Sequence, residues 1–255
     1  MSREQLLQLG EDYLVLDQFE TYVQAQGRTA CVSCPGSART PFKPPGQVYN
    51  EDALLVVDDG EQTLLAVADA HYGERASHEL MARLATRVES LPSTPMQLLE
   101  LLLSLGDEVE SDSYRSETTL LIAVLDRARG AGFGVSMGDS SLSVLGLDNA
   151  PRTANRKTTN YARACVPSSL DPRRATEFAF NVRPNELVLA YTDGVDECHY
   201  RSPRTSIGLR QMESLHIRTG GDPQRMATEL TQLALDGVQG YPGGQDNIAL
   251  IVTRV

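Results

Sequence analysis

An apolar run, Leu64-Leu65-Ala66-Val67-Ala68, stops at Asp69, and Ala70, His71, Tyr72 and Gly73 follow it. A buried strand can end in any polar turn residue. Ending in a carboxylate with an imidazole two residues on supplies the groups that metal-assisted chemistry needs. The placement recurs along the chain. Asp193 closes the run in ELVLAYTD, Asp246 stands before NIALIVTRV, Glu51 and Asp52 stand before ALLVV, and Asp139 falls within the strand pattern of VSMGDSSLSV. One such acid is the ordinary use of Asp in turns, where the side chain bonds nearby backbone. Repeated at several strand ends, it points to carboxylates gathered at one rim of a sheet. Hard cations relieve the repulsion in such a cluster, and oxygen-only donors suit Mg²⁺ or Mn²⁺.

The order of elements fixes the fold class. Residues 11–25 read as one or two strands, and the Pro- and Gly-rich residues 33–47 as a loop. DALLVV and TLLAVAD flank an Asp-Gly, a hairpin signal. Residues 76–90 and 96–110 carry apolar residues at helical spacing, with PSTP between them. TTLLIAVLD and GFGVSMGDSSLSVLGLD read as a second hairpin, and residues 149–178 as an irregular, basic segment. ELVLAYTD is a strand, DPQRMATELTQLAL a helix with Asp222 as N-cap and Pro223 at its first position, and NIALIVTRV a closing strand. Strand pairs followed by helix pairs give antiparallel sheets covered by helices, an α+β layered domain, rather than a doubly wound parallel sheet. The 255 residues are read as one such domain, 1–255.

Composition narrows the function. A net charge of −11 argues against a general basic surface for nucleic acid. No apolar run is long enough to span a bilayer and the first residues lack a signal-peptide pattern, so a cytoplasmic protein without a membrane partner is expected. The C-x-x-C pair Cys31 and Cys34 has no second pair of ligands after it, so zinc is set aside and the two are read as reduced thiols on a surface loop. His78, His199 and His216 receive no functional role, and residues 98–105 are read as a core helix.

With these residues in view, the chain resembles the metal-dependent (PPM) serine/threonine protein phosphatases of the type 2C class, bacterial type. NEDALLVV is similar to the family's first acidic motif, VADAHYG to its A-D-G-H-G-G, ETTLLIAVLD to its Gly-Thr-Thr strand and GDSS to its G-D-S-R. YTDGVDE is similar to its S-D-G motif and GGQDNIALIV to its closing D-N strand. The resemblance implies a four-layer αββα sandwich of two antiparallel sheets flanked by helix pairs. It also implies a binuclear Mn²⁺ or Mg²⁺ centre whose bridging hydroxide hydrolyses phosphoserine and phosphothreonine. Asp69 would bridge both ions, the Ala70 carbonyl would ligate one, Asp193 and Asp246 would complete the other's shell, and Asp139 would hold a weaker third ion. Glu51 and Asp52 would act through metal-bound waters. His71 would be the general acid for the leaving alkoxide. The implied partners are a phosphorylated protein substrate and a counteracting Ser/Thr kinase.

Three departures stand beside this. Ala70 replaces a Gly, which would strain the chain if the backbone there needs positive φ. The Arg that many members carry before the acidic pair is missing. Arg39 and Lys43 are the candidates to replace it in gripping phosphate, as are the basic residues of 149–178: Arg152, Arg156, Lys157, Arg163, Arg173 and Arg174. GDSS also lacks the usual Arg. YTDGVDE is also similar to the sporulation-type branch of the superfamily, whereas His71 argues for the kinase-opposing branch. The alternatives are a pseudophosphatase that binds a phosphoprotein without turnover, and a small-molecule phosphatase on the same site.

Overall fold

The fold is taken from a computed structural model, which describes residues 3–38, 49–106, 116–159, 162–163, 175–201 and 203–255. The expected α+β sandwich is what the chain forms. One antiparallel sheet contains β1 (Glu4–Leu9), β4 (Asp52–Asp58), β5 (Gln62–His71), β7 (Leu120–Asp126), β8 (Ala131–Met137) and β12 (Thr176–Asn181) in the order β1-β4-β5-β7-β8-β12. Two short strands, β6 (Glu117–Thr118) and β11 (Ala162–Arg163), extend it at the end of β5. The second sheet runs β10 (Arg152–Thr153), β9 (Ser141–Leu145), β13 (Leu187–Tyr191), β14 (Ile248–Arg254), β3 (Thr29–Cys34) and β2 (Tyr22–Gln24).

Three apolar cores make the four layers. Between the sheets, Leu54, Val56, Leu65 and Val67 meet Leu142, Val188, Ala249 and Ile251. Outside the first sheet, Leu55, Val57, Leu64 and Ala66 pack under α1 (Arg75–Arg87) and α2 (Pro95–Gly106). Outside the second, Leu189 and Leu250 pack under α4 (Leu209–Thr219) and α5 (Pro223–Asp236), which follow the one-turn α3 (Asp193–Asp196). Alternate residues of one strand therefore enter different cores. This is why the central strands read as continuous apolar runs rather than as an alternation of apolar and polar residues.

Several expectations need correction. Cys31 and Cys34 are buried in β3, not on a loop. Cys31 enters the core between the sheets and Cys34 the outer core, so the two point to opposite faces and cannot share a metal. Of residues 11–25 only β2 is a strand, because Leu14 and Val15 lie in an exposed excursion after a 3₁₀ turn at Gly10–Asp12. The run GFGVSMGDSSLSVLGLD is two strands in different sheets. Gly138, at φ +90°, lets the chain turn from β8 into β9, and Asp139 sits in that bend rather than in a strand. Helix α4, whose apolar face is spaced as Leu209, Met212 and Leu215, joins the expected elements, as do β1 and β12. The second helix is seen to Gly106, and residues 107–110 lie outside the described ones. The cap of α5 is as expected: Asp222 accepts from the Arg225 N–H at 2.8 Å.

At the end of β4 opposite Asp52, Asp58 ties the two sheets together. It accepts from Arg127 (2.8 Å) after β7, from Arg28 (3.2 Å) before β3, and from the Thr63 hydroxyl (2.6 Å). Burial alone would push its carboxyl up, but Thr63 and Arg127 outweigh this and hold it below the ordinary range. Because the folded pKa is lowered, the stabilisation is present above the unfolded carboxyl pKa and is lost as pH falls through the folded value. Asp58→Asn is expected to cost about 2–3 kcal/mol at neutral pH, since it strands two partly buried guanidinium groups. Urea melts at neutral and acid pH check this, and the gap between wild type and variant should shrink on acidification.

Candidate metal centre

The expected acids meet at one end of the sandwich. Asp52 opens β4 and is the register partner of Asp69 near the end of β5. Asp193 follows β13 and starts α3, Asp246 precedes β14, and Asp139 lies in the bend between the sheets. Asp69, Asp139 and Asp193 each bring a carboxylate oxygen to a common point, all within 4.8 Å of one another.

The electrostatics agree with the geometry. Asp69 is held well above the ordinary carboxylate range, first by burial and then by the charges of Asp52, Asp193, Asp246 and Asp139. Burial and Asp246 raise Asp193, and burial and Asp193 raise Asp139. His71 lies close enough to Asp139 for its charge to act on that carboxyl. Like charges pressed together in a buried, oxygen-only cluster fit hard divalent cations as their partners.

Neutral hydrogen bonds hold the acids in place. The Thr119 hydroxyl accepts from the Asp69 N–H (3.0 Å) and pairs with the Ser140 hydroxyl (2.7 Å), so the Thr-Thr strand supports both Asp69 and the Asp139 bend. Thr192 donates to Asp52 at 2.6 Å, and the Tyr200 hydroxyl donates to Asp193. Asn247 accepts from the Glu51 N–H (2.8 Å) and donates to the carbonyls of Tyr49 and Pro35. The Glu51 carboxylate accepts from the Gly73 N–H at 2.7 Å, which ties it to the turn after His71. Of these supports, Asn247 is visible in its motif, whereas Tyr200 carries no local sequence signal.

Ala70 resolves one departure. It lies in β5 outside the positive-φ region, and the turn that needs positive φ comes later, at Tyr72 (+66°) and Gly73 (+115°). An alanine is therefore unstrained there. Arg39 and Lys43 fall outside the described residues, as do Arg173, Arg174 and the side chain of Arg163. Arg152 is paired with Glu186 at 3.0 Å, and Arg156 is exposed. Lys157 bonds Asp196 and Glu197 at 3.1 Å, in and just after α3. His78 is a packing histidine, accepting from the Gly10 N–H at 3.1 Å.

A family model described as Stage II sporulation protein E (SpoIIE) matches residues 59–255, which span most of the chain. The chain belongs to the SpoIIE family. This bears out the wider resemblance to PPM phosphatases and corrects the branch that His71 suggested. Solved structures share the fold, these three among them. An arginine-to-alanine variant of a bacterial serine phosphatase superposes with a TM-score of 0.67 at 16% identity, covering 92% of this chain and 100% of that one. RsbX in complex with magnesium gives 0.59 at 11%, covering 93% and 99%. The Mycobacterium tuberculosis serine/threonine phosphatase PstP/Ppp gives 0.62 at 22%, covering 89% and 98%. No curated protein matches the chain.

Gly194 explains how Asp193 and Asp246 come together. A Cβ there would lie 1.8 Å from the Asn247 carbonyl oxygen, so only glycine lets α3 close against the start of β14. Gly194→Ala is expected to weaken Mn²⁺ binding at least about tenfold, the size of effect typical of residues that support metal ligands. Calorimetric titration of the folded variant with Mn²⁺ measures it.

Proposed function

We propose that this chain is a Mn²⁺- or Mg²⁺-dependent phosphatase that hydrolyses phosphoserine and phosphothreonine in proteins. The observation that carries this is the buried convergence of Asp69, Asp139 and Asp193 on one point, beside Asp52 and Asp246, in a SpoIIE-family sandwich. Relatives in fold described as serine or serine/threonine phosphatases support the substrate class. Two ions held there, with a third weaker one at Asp139, would supply Lewis acidity toward phosphoryl oxygens and an activated water.

The residues take the following roles. Asp69, Asp193 and Asp246, with the Ala70 carbonyl, would hold the ions, and Glu51 and Asp52 would support them through waters. His71, half-buried beside the cluster, protonates the departing serine oxygen. No side chain needs to take up the phosphoryl group. Among the described residues no helix is long and apolar enough to cross a membrane, and the free buried thiols of Cys31, Cys34 and Cys198 suit a reducing cytoplasm. A Ser/Thr kinase supplies the phosphorylated substrate. The rival reading of a phosphoprotein-binding pseudophosphatase draws no support from Ala70, which is unstrained; peptide against metabolite turnover separates the small-molecule phosphatase.

Hydrolysis of p-nitrophenyl phosphate tests the reading. Activity is expected with Mn²⁺, and it should vanish with EDTA and fall about a hundred- to a thousandfold in Asp193→Asn, the scale of a lost electrostatic catalyst. A folded, Mn²⁺-binding protein without turnover would favour the pseudophosphatase. Activity unchanged by EDTA and by the mutation would refute the metal-carboxylate site.

A further inference from the structure

The excursion between β1 and β2 encloses a groove of about 500 Å³ that the chemistry above does not use. Its floor carries Tyr13, Phe19 and Tyr22, with the first and last rings edge to face at 6.0 Å. Leu14 and Val15 stand in it with 42% and 58% of their surface exposed. Exposed apolar side chains clustered in a concave surface mark an interaction site more often than isolated ones do. Asp12, Asp17 and Glu20 also line the groove, and no lysine or arginine does among the described residues.

The groove is joined to the candidate centre at two points. The Asn50 amide donates to the Tyr13 carbonyl at 3.2 Å, and its oxygen accepts from the Asp52 N–H. Asp17 accepts from the Ser37 hydroxyl (2.7 Å), and its N–H donates to the Gly36 carbonyl (2.9 Å). Gly36 lies so close to the Asp246 carbonyl that a Cβ would come within 2.7 Å of it. The groove is thus held by the segments that deliver Asp52 and Asp246.

We propose that this groove docks the protein substrate and selects phosphoproteins whose phosphorylated residue is flanked by arginine or lysine together with a large apolar side chain. The inference rests on the phosphatase reading and names its substrate class. The apolar side chain covers Leu14 and Val15 against the aromatic floor. The basic side chains meet Asp12 and Glu20, which would repel an acidic segment. In a chain of net charge −11, a basic flank also speeds encounter.

The test is fluorescence anisotropy with labelled peptides carrying Arg and Leu beside serine or phosphoserine, and with matched peptides carrying Asp in place of Arg. Wild type is compared with Asp12→Lys/Glu20→Lys and with Val15→Ser, all exposed positions, with folding checked by circular dichroism. The basic peptides are expected to bind wild type at least about tenfold more tightly than the acidic ones; Asp12→Lys/Glu20→Lys should lose that preference, and Val15→Ser should bind the basic peptides severalfold more weakly. Equal affinity of wild type for basic and acidic peptides, or a preference kept in folded Asp12→Lys/Glu20→Lys, overturns the proposal. Turnover of p-nitrophenyl phosphate is measured in parallel. Its absence from wild type would count against the phosphatase reading, while the binding data would still decide the groove.

Discussion

The repulsion among buried carboxylates governs the rest of this structure. Asp69 has Asp52 beside it in register, and the charges of Asp139, Asp193 and Asp246 all reach it. Such a cluster is unfavourable by itself, because burial removes the water that would screen it. It persists because each acid sits at the end or turn of a strand whose remaining residues are locked in three apolar cores. The cores supply the stability and the rim carries the strain of like charge. The fold therefore separates the two tasks along each strand: β4 runs from Asp52 at the rim, through residues shared by two cores, to Asp58, where arginines balance the charge.

The supports around the acids follow from that constraint. Cationic partners would offset the negative charge that a metal needs, whereas Thr192 and Tyr200 hold Asp52 and Asp193 through neutral hydroxyls and the backbone N–H of Asn247 donates to Asp246 at 2.8 Å. Lys157, whose charge acts on Asp139 and Asp193, is turned onto Asp196 and Glu197 instead. Close backbone approach does the rest. Gly194 against Asn247 and Gly36 against Asp246 bring loops from distant parts of the chain within van der Waals contact. The excursion that forms the aromatic groove hangs from these same loops, so the surface beside the site and the site itself are built on one set of contacts.

Much of this is legible in the sequence, for reasons that differ by element. Strands buried on both faces announce themselves as apolar runs, and the acids at their ends mark the rim, so Asp69, Asp193, Asp246 and Asp52 can be grouped from their positions along the chain alone. The Asp222 cap with Pro223 is readable because its chemistry is local. Cys31 and Cys34 mislead because C-x-x-C spacing is a loop signal only when the residues are not in a strand, where that spacing sends the two side chains to opposite faces. The excursion at 13–21 misleads in the other direction: Leu14 and Val15 look like strand residues buried on one face but are exposed. Tyr200 and the groove are invisible because they depend on which loops the fold brings side by side. The branch of the family is misjudged when one histidine is weighed against a pattern spread over residues 59–255.

The central claim is that the cluster is strained without cations and relieved by them. Thermal unfolding of wild type and Asp69→Asn, each with EDTA and with Mn²⁺, tests it most directly. Removing one of the crowded charges should raise the melting temperature in EDTA, while Mn²⁺ should raise that of wild type alone. A variant less stable than wild type in EDTA, or stabilised by Mn²⁺ to the same degree, would contradict the account.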